Sequence, residues 1–273
     1  MVTNAPIGVF DSGVGGLSVL GEIRQQLPHE SLLYVADSGF VPYGERTPEF
    51  IRERCAQICQ FLLAQGAKAL VVACNTASTL ALHHLRTALP IPVVGVVPAI
   101  KVAAGLTSSG HIGLLATPAT VNRPYTDQLI DDFAGHCQVH RFGSANLVQW
   151  AEDFLQTGTI TPALKNHLAP WIEENPAMQH VVLGCTHFPL LRAELEEYWP
   201  HISWIDSGSA IARRVESLLG GRGLEGFPGP LHCYWTGAEA GAAGAKRFLT
   251  ALGNLAASRQ LSTENPVQSM NSV

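Results

Sequence analysis

Charge is scarce in this 273-residue chain: Asp, Glu, Lys and Arg together make up 14% of it. Seventeen Lys and Arg against 22 Asp and Glu leave a net charge of −5, which gives no footprint for a phosphate backbone and argues against a nucleic-acid partner. Long apolar runs are also missing. The most apolar stretch, residues 90–106 (PIPVVGVVPAIKVAAGL), is cut by three prolines and Lys101, and falls short of the ~20 residues that span a bilayer. Residues 1–12 carry no positive n-region, so neither a secretory signal nor a membrane partner is expected, and the protein reads as cytoplasmic. Only four lysines occur (68, 101, 165 and 246), none in a strand-end cluster, which leaves a pyridoxal Schiff base without a candidate. Spacings of the C-x-x-C and H-E-x-x-H kind are absent, as are a Walker sequence and a G-x-S-x-G elbow. No metal is expected.

What is present suffices for a core, since 47% of the residues are hydrophobic. The length exceeds the usual single domain of ~100–150 residues, which favours two compact units or one large α/β unit. Six cysteines lie at 55, 59, 74, 137, 185 and 233. In a large chain without an export signal they do not read as a disulfide framework, and each is by default a small buried hydrophobe. Cys55 and Cys59 fit that default, at i,i+4 on an apolar helix face. His83-His84, on a predicted helix, has no partner pattern and reads as surface.

Short Val/Ile/Leu runs alternate with amphipathic stretches. Strands are expected at 7–10, 32–36, 69–73, 93–97, 112–116, 180–184, 202–205 and 231–235. Helices are expected at 17–27, 48–65, 78–88, 120–133, 145–156, 162–174, 190–198, 209–219 and 238–252. The β-α-β-α order, with strands apolar on both faces, implies an α/β fold with mostly parallel sheets. Ligands in such folds sit beyond the carboxyl ends of strands. A faint repeat runs through the chain: IGVFDS (7–12) can be laid on IGLLAT (112–117), and VACNT (72–76) on LGCTH (183–187). Two related halves follow, with Cys74 and Cys185 at matching places across a cleft.

Four segments could carry chemistry. Asp11-Ser12-Gly13-Val14-Gly15-Gly16 follows a strand and precedes a helix, where glycines let backbone N–H groups face an anion. A dinucleotide fingerprint is the tempting reading, with Asp37 as the ribose acid. Ser18 at the third glycine position and Asp11 beside the pyrophosphate site speak against it. A carboxylate-binding turn, or a turn without ligand, remains. Cys74-Asn75-Thr76 places a thiol and neutral hydrogen-bonding groups at the end of a buried strand, and Cys185-Thr186-His187 repeats this with an acid–base group added. Val41-Pro42-Tyr43-Gly44 is either a plain turn or a loop whose amides and Tyr hydroxyl bind a polar ligand. Glu152 reads by composition as a solvated acid near a helix end.

Together DSGVGGLSVL (11–20), DSGFVPYG (37–44), ACNTAS (73–78), LGCTHFPLL (183–191) and IDSG (205–208) resemble the glutamate racemases of the aspartate/glutamate racemase superfamily. The resemblance implies cofactor-independent interconversion of L- and D-glutamate, supplying D-glutamate for peptidoglycan. It makes Cys74 the base for D-glutamate and Cys185 the base for L-glutamate. Asp11 and His187 would assist their thiols, and Glu152 would be a further assisting acid. Asp11, Ser12, Pro42, Tyr43, Gly44, Asn75, Thr76, Thr186 and His187 would hold glutamate, with hydroxyls added by Thr117 and Thr120. A homodimer is implied as well.

The expected organisation is therefore two pseudo-symmetric α/β domains with mostly parallel sheets and the active site in the cleft between them. The first comprises 1–97 plus 208–254, the second 98–207, and 255–273 forms a flexible tail. A racemase for another amino acid such as aspartate, a two-domain binding protein needing neither thiol, and a one-thiol cysteine hydrolase are the competing readings.

Overall fold

The computed structural model describes residues 4–220, 226–237 and 240–261. The chain forms two compact units, one running through Val96 and resuming at Gly208, the other Val97–Ser207. The first begins with β1 (Ile7–Asp11), α1 (Leu17–Gln26), β2 (Leu32–Ala36), α2 (Pro48–Ala64), β3 (Ala69–Val72), α3 (Asn75–Ala88) and β4 (Val93–Gly95). The second contains α4 (Ile100–Leu106), β5 (His111–Ala116), α5 (Pro118–Val121), α6 (Pro124–Ala134), β6 (Gln138–Gly143), α7 (Asn146–Thr157), α8 (Ala163–Glu173), β7 (His180–Leu183), α9 (Arg192–Tyr198) and β8 (Ser203–Ile205). The chain then re-enters the first unit with α10 (Gly208–Leu218), β9 (Leu231–Trp235), α11 (Ala240–Ala251) and β10 (Leu255–Gln260).

One sheet has the order β10-β9-β2-β1-β3-β4, the other β6-β5-β7-β8, and every pairing among the described residues is parallel. Numbered from their own first strand, β2-β1-β3-β4 and β6-β5-β7-β8 share one order, so the weak sequence repeat corresponds to a repeated topology. Strands β1, β2 and β3 are buried along their whole length, as runs without alternation require when helices cover both faces. Helix α2 starts where Thr47 accepts a hydrogen bond from the Phe50 amide and Pro48 fills the first turn. It buries Ile51, Cys55, Ile58, Cys59 and Leu62 against the first sheet's core. Burial pushes the Cys55 thiol well up and the Cys59 thiol up to about 12, as expected of inert core sulfurs. His83 and His84 are exposed on α3.

Three elements differ from the expectation. Strands β6 and β10 stand at sheet edges and are half-exposed, so their sequences, QVHRFG and LAASRQ, lack the apolar run of a central strand. Residues 255–260, expected within a flexible tail, instead pair along β9, where a neighbouring strand satisfies their backbone groups; residues 262–273 of that tail lie outside the described residues. Helix α4 has only seven residues and hides in the proline-cut apolar stretch. Residues 221–225 of the glycine-rich connection and 238–239 of the last expected helix also lie outside the described residues. None of the described helices is long and apolar enough to cross a membrane.

Candidate active site

In the first unit the strand ends bring together Asp11, Ser12 and Cys74. Asp11 closes β1 and is fully buried. Its Oδ1 accepts the Gly13 amide at 2.9 Å, so the first amide of the glycine turn is taken by the chain's own carboxylate. An acid there is thus a structural partner of the turn. The Tyr34 hydroxyl donates to the Gly13 carbonyl at 2.8 Å and fixes the same turn from β2. Glycine is required at 16, because a Cβ there would come within 2.5 Å of Asp11 Cβ.

Cys74 follows β3 as the N-cap of α3, buried, with Sγ accepting the Ala77 amide at 3.5 Å. A helix N-terminus favours negative charge on a group so placed. The Ser12 hydroxyl lies 3.5 Å from the same sulfur. Asn75 and Thr76 open the helix and are both buried. Asn75 Oδ1 has no hydrogen-bond partner within the chain, an unusual state for a buried amide oxygen.

Pro42, Tyr43 and Gly44 lie beyond β2, where Tyr43–Glu45 forms a 3-10 turn. The Tyr43 hydroxyl, buried, donates its one proton to Asp37 Oδ2 at 2.6 Å. As a donor this hydroxyl is therefore not free for a ligand; its oxygen can still accept, and the loop's backbone is beside it. Burial, followed by the nearby Asp37 carboxylate, raises the Tyr43 pKa well above its ordinary value and keeps the phenol protonated. Asp37 is not a ribose acid either. Its oxygens accept from Arg54 Nε (2.9 Å) and Nη2 (2.7 Å) and from the Thr236 hydroxyl (2.7 Å), in addition to Tyr43. Sequence reasoning passed over Arg54, although a charge beside the apolar stripe of α2 was the signal that could have found it.

In the second unit Cys185 follows β7 and is buried. Thr186 is buried beside it, and His187 precedes a 3-10 turn at Phe188–Leu191 that leads into α9. Pro189 sits in that first turn, where no amide is needed. His187 Nδ1 lies 3.9 Å from Cys185 Sγ, and Nε2 lies 2.8 Å from Glu152 Oε1. Burial opposes charge on this imidazole, but hydrogen bonds to Cys185 and Glu152 and their negative charge outweigh it, raising its pKa well above 6.5. When protonated, the ring can donate from both nitrogens. Glu152 is no solvated helix-end acid: it lies mid-way along α7, mostly buried.

Thr117 and Thr120 stand past β5. Thr117 Oγ1 accepts the Thr120 amide at 3.3 Å as the N-cap of α5, and the two hydroxyl oxygens are 3.0 Å apart. These hydroxyls serve the local turn. Among the described residues no group of three or more His, Cys, Asp or Glu is placed to hold a metal ion, and all six cysteines are free.

A model of the Asp/Glu/hydantoin racemase family matches residues 7–215. The glutamate racemase of Ectopseudomonas mendocina is 47% identical over 241 residues, spanning 87% of this chain and 91% of that protein. That of Klebsiella pneumoniae is 53% identical over 215 residues, 77% of this chain and 76% of that protein. Among solved structures, Escherichia coli glutamate racemase in complex with L-glutamate and the activator UDP-MurNAc-ala matches with a TM-score of 0.87. It is 42% identical, and the match covers 94% of this chain and 98% of that one.

Proposed function

The chain belongs to the Asp/Glu/hydantoin racemase family, and from that premise we propose that Cys74 and Cys185 are the two acid–base groups of its reaction. It interconverts L- and D-glutamate, an isomerisation that supplies D-glutamate for peptidoglycan. The observation that carries the assignment is the matched placement of the two thiols. The amides of Ala73 and Gly184 donate to the carbonyls of Phe10 and Leu115, each at 2.8 Å, and a cysteine comes next in both.

Racemisation removes the α-proton from one face of the substrate and returns a proton to the other. Two monoprotic groups do this without turning the intermediate over, one resting as thiolate and the other as thiol. In this reading Cys185 takes the proton of L-glutamate while Cys74 delivers one, and the roles reverse for D-glutamate. The His187 imidazole lies beside the first sulfur, and Ser12 with the start of α3 beside the second. The α-carbanion is far more basic than a thiolate, so oriented donors must stabilise it. Ser12, Thr76, Thr186 and the amides of Tyr43 and Gly44 are the groups available, with Thr117 and Thr120 at the margin. Asn75 Oδ1, buried and without a donor of its own, suits the substrate ammonium group. Asp11 acts on the Cys74 side and Glu152 through His187.

The same reading makes the protein a cytoplasmic homodimer. The free cysteines support a reducing compartment. Val102 (47% exposed), Leu106 (56%) and Phe133 (38%) leave apolar surface on α4 and α6, which supports self-association. Circular dichroism of glutamate tests the activity: the signal of either enantiomer should decay to zero without added cofactor, and an unchanged signal from both would contradict it. Light scattering at the mass of two chains tests the dimer.

A further inference from the structure

The residue just past the second strand of each unit clamps a crossover helix. In the first unit this is Asp37, whose amide donates to the Asp11 carbonyl and whose carboxylate holds Arg54 on α2. In the second it is Ser144. Its amide donates to the Ala116 carbonyl at 2.9 Å, and its hydroxyl oxygen lies 2.9 Å from His167 Nε2 on α8. That oxygen also accepts the Leu147 amide, at 3.3 Å, in the first turn of α7. Ser144 is only 3% exposed.

His167 is gripped by aromatic rings. Phe142 lies 5.2 Å and Trp150 5.4 Å away, each close to perpendicular. Burial lowers its pKa, so the ring stays neutral at pH 7. Trp150 belongs to α7, two residues before Glu152, so His167 touches this helix directly and also through Ser144. The buried face of α7, Leu147, Val148 and Ala151, shares a core with Cys185 and Phe188. Glu152 projects from the same helix to His187 Nε2, and the other nitrogen of that ring makes only a long 3.9 Å contact with the Cys185 sulfur. At 3.9 Å the contact is close to the limit for a hydrogen bond to sulfur, so where the carboxylate holds the ring decides whether it forms.

We propose that Ser144 and His167 are positioning residues for the Cys185 half of the reaction: by fixing α7 they place Glu152, and through it the His187 ring against the sulfur. The inference rests on the assignment of Cys185 as an acid–base group.

The test is a double-mutant cycle with an isotope readout. Ser144→Ala, His167→Leu and His167→Gln are each made alone and together with Glu152→Gln, and racemisation is followed from α-deuterated L- and D-glutamate. Ser144→Ala and His167→Leu should lower kcat about tenfold with KM little changed, as for a small displacement of a reacting group. His167→Gln, which keeps a hydrogen-bonding atom for Ser144, should recover most of that loss. Added to Glu152→Gln, none should cost more, because all act through one carboxylate. The isotope effect from deuterated L-glutamate should rise and that from deuterated D-glutamate should fall, because only the Cys185 step has slowed. Losses that multiply with Glu152→Gln, or isotope effects that move together, would overturn the proposal and leave the cluster a stabilising one. Should Ser144→Ala not fold, the two His167 variants complete the same cycle. A wild-type protein inactive on both enantiomers would overturn the Cys185 assignment itself, a result that the variants cannot mimic.

Discussion

Ala73 and Gly184 occupy the same place in two different sheets. Each is the first residue past the strand flanking its sheet's first strand, each donates its amide at 2.8 Å to that strand, and each is followed by a cysteine. The chain thus builds one strand-end twice and puts a thiol on both copies. The surroundings differ. The first thiol meets a hydroxyl and a helix N-terminus, the second an imidazole ring backed by a carboxylate. Such a pair suits a reaction that is symmetrical in its products but runs through two distinct protons.

Tyr43→Phe separates two roles for the 42–44 loop. The hydroxyl proton is committed to Asp37, so its loss should cost about 1–3 kcal/mol of stability in urea unfolding. The KM for glutamate should move little. A large rise in KM with unchanged stability would return the hydroxyl to the substrate.

Arg54→Met removes one partner of an ion pair in which both side chains are buried. The stranded Asp37 should cost about 3–5 kcal/mol. Asp37→Asn combined with Arg54→Met should lose less than the two single losses together, because no bare charge then remains. Additive losses in denaturant titrations would show that the pair is not coupled.

Gly16→Ala places a methyl 2.5 Å from Asp11 Cβ, 3.0 Å from the Tyr34 hydroxyl and 3.2 Å from Ala73 Cβ. Overpacking of this kind should cost about 1–3 kcal/mol. Because Asp11 is among the atoms displaced, kcat should fall as well. A variant with wild-type stability and kcat would show that the turn yields freely.

His187 gives a pH dependence with a definite sign. Its folded pKa is raised above the ordinary 6.5, so the folded chain binds the proton more tightly than the unfolded chain. The resulting stability is full below pH 6.5 and is lost as pH rises through the folded pKa. Wild type minus His187→Gln, compared by urea midpoints across pH, should therefore shrink toward alkaline pH. A difference that grows with pH would mean that the imidazole is buried neutral.

Much of this was legible in the sequence where one strand or helix contained the signal. Strands buried on both faces announce themselves as apolar runs, and the residues after them, Asp11, Cys74 and Cys185, could be read for chemistry. Strands β6 and β10 could not be seen, because edge positions tolerate polar residues on both faces and the ladder alone defines them. Pairings between distant segments were equally hidden. Glu152 and His187 are 35 residues apart and Asp37 and Thr236 are 199 apart, and no local pattern links them. Family resemblance pointed to Glu152; composition alone made it a surface acid. Resemblance also suggested Thr117 and Thr120; the Thr117 oxygen caps α5 and the two hydroxyls lie within hydrogen-bonding distance of each other.

In the proposed reaction two thiols handle two protons. Proton NMR of L- and of D-glutamate in D₂O, with wild type, Cys74→Ser and Cys185→Ser, tests it most directly. Wild type should erase the α-proton signal of both enantiomers while optical rotation falls to zero, and each serine variant should stop racemisation in both directions. Full racemisation by either variant, in folded protein, would contradict the two-thiol account.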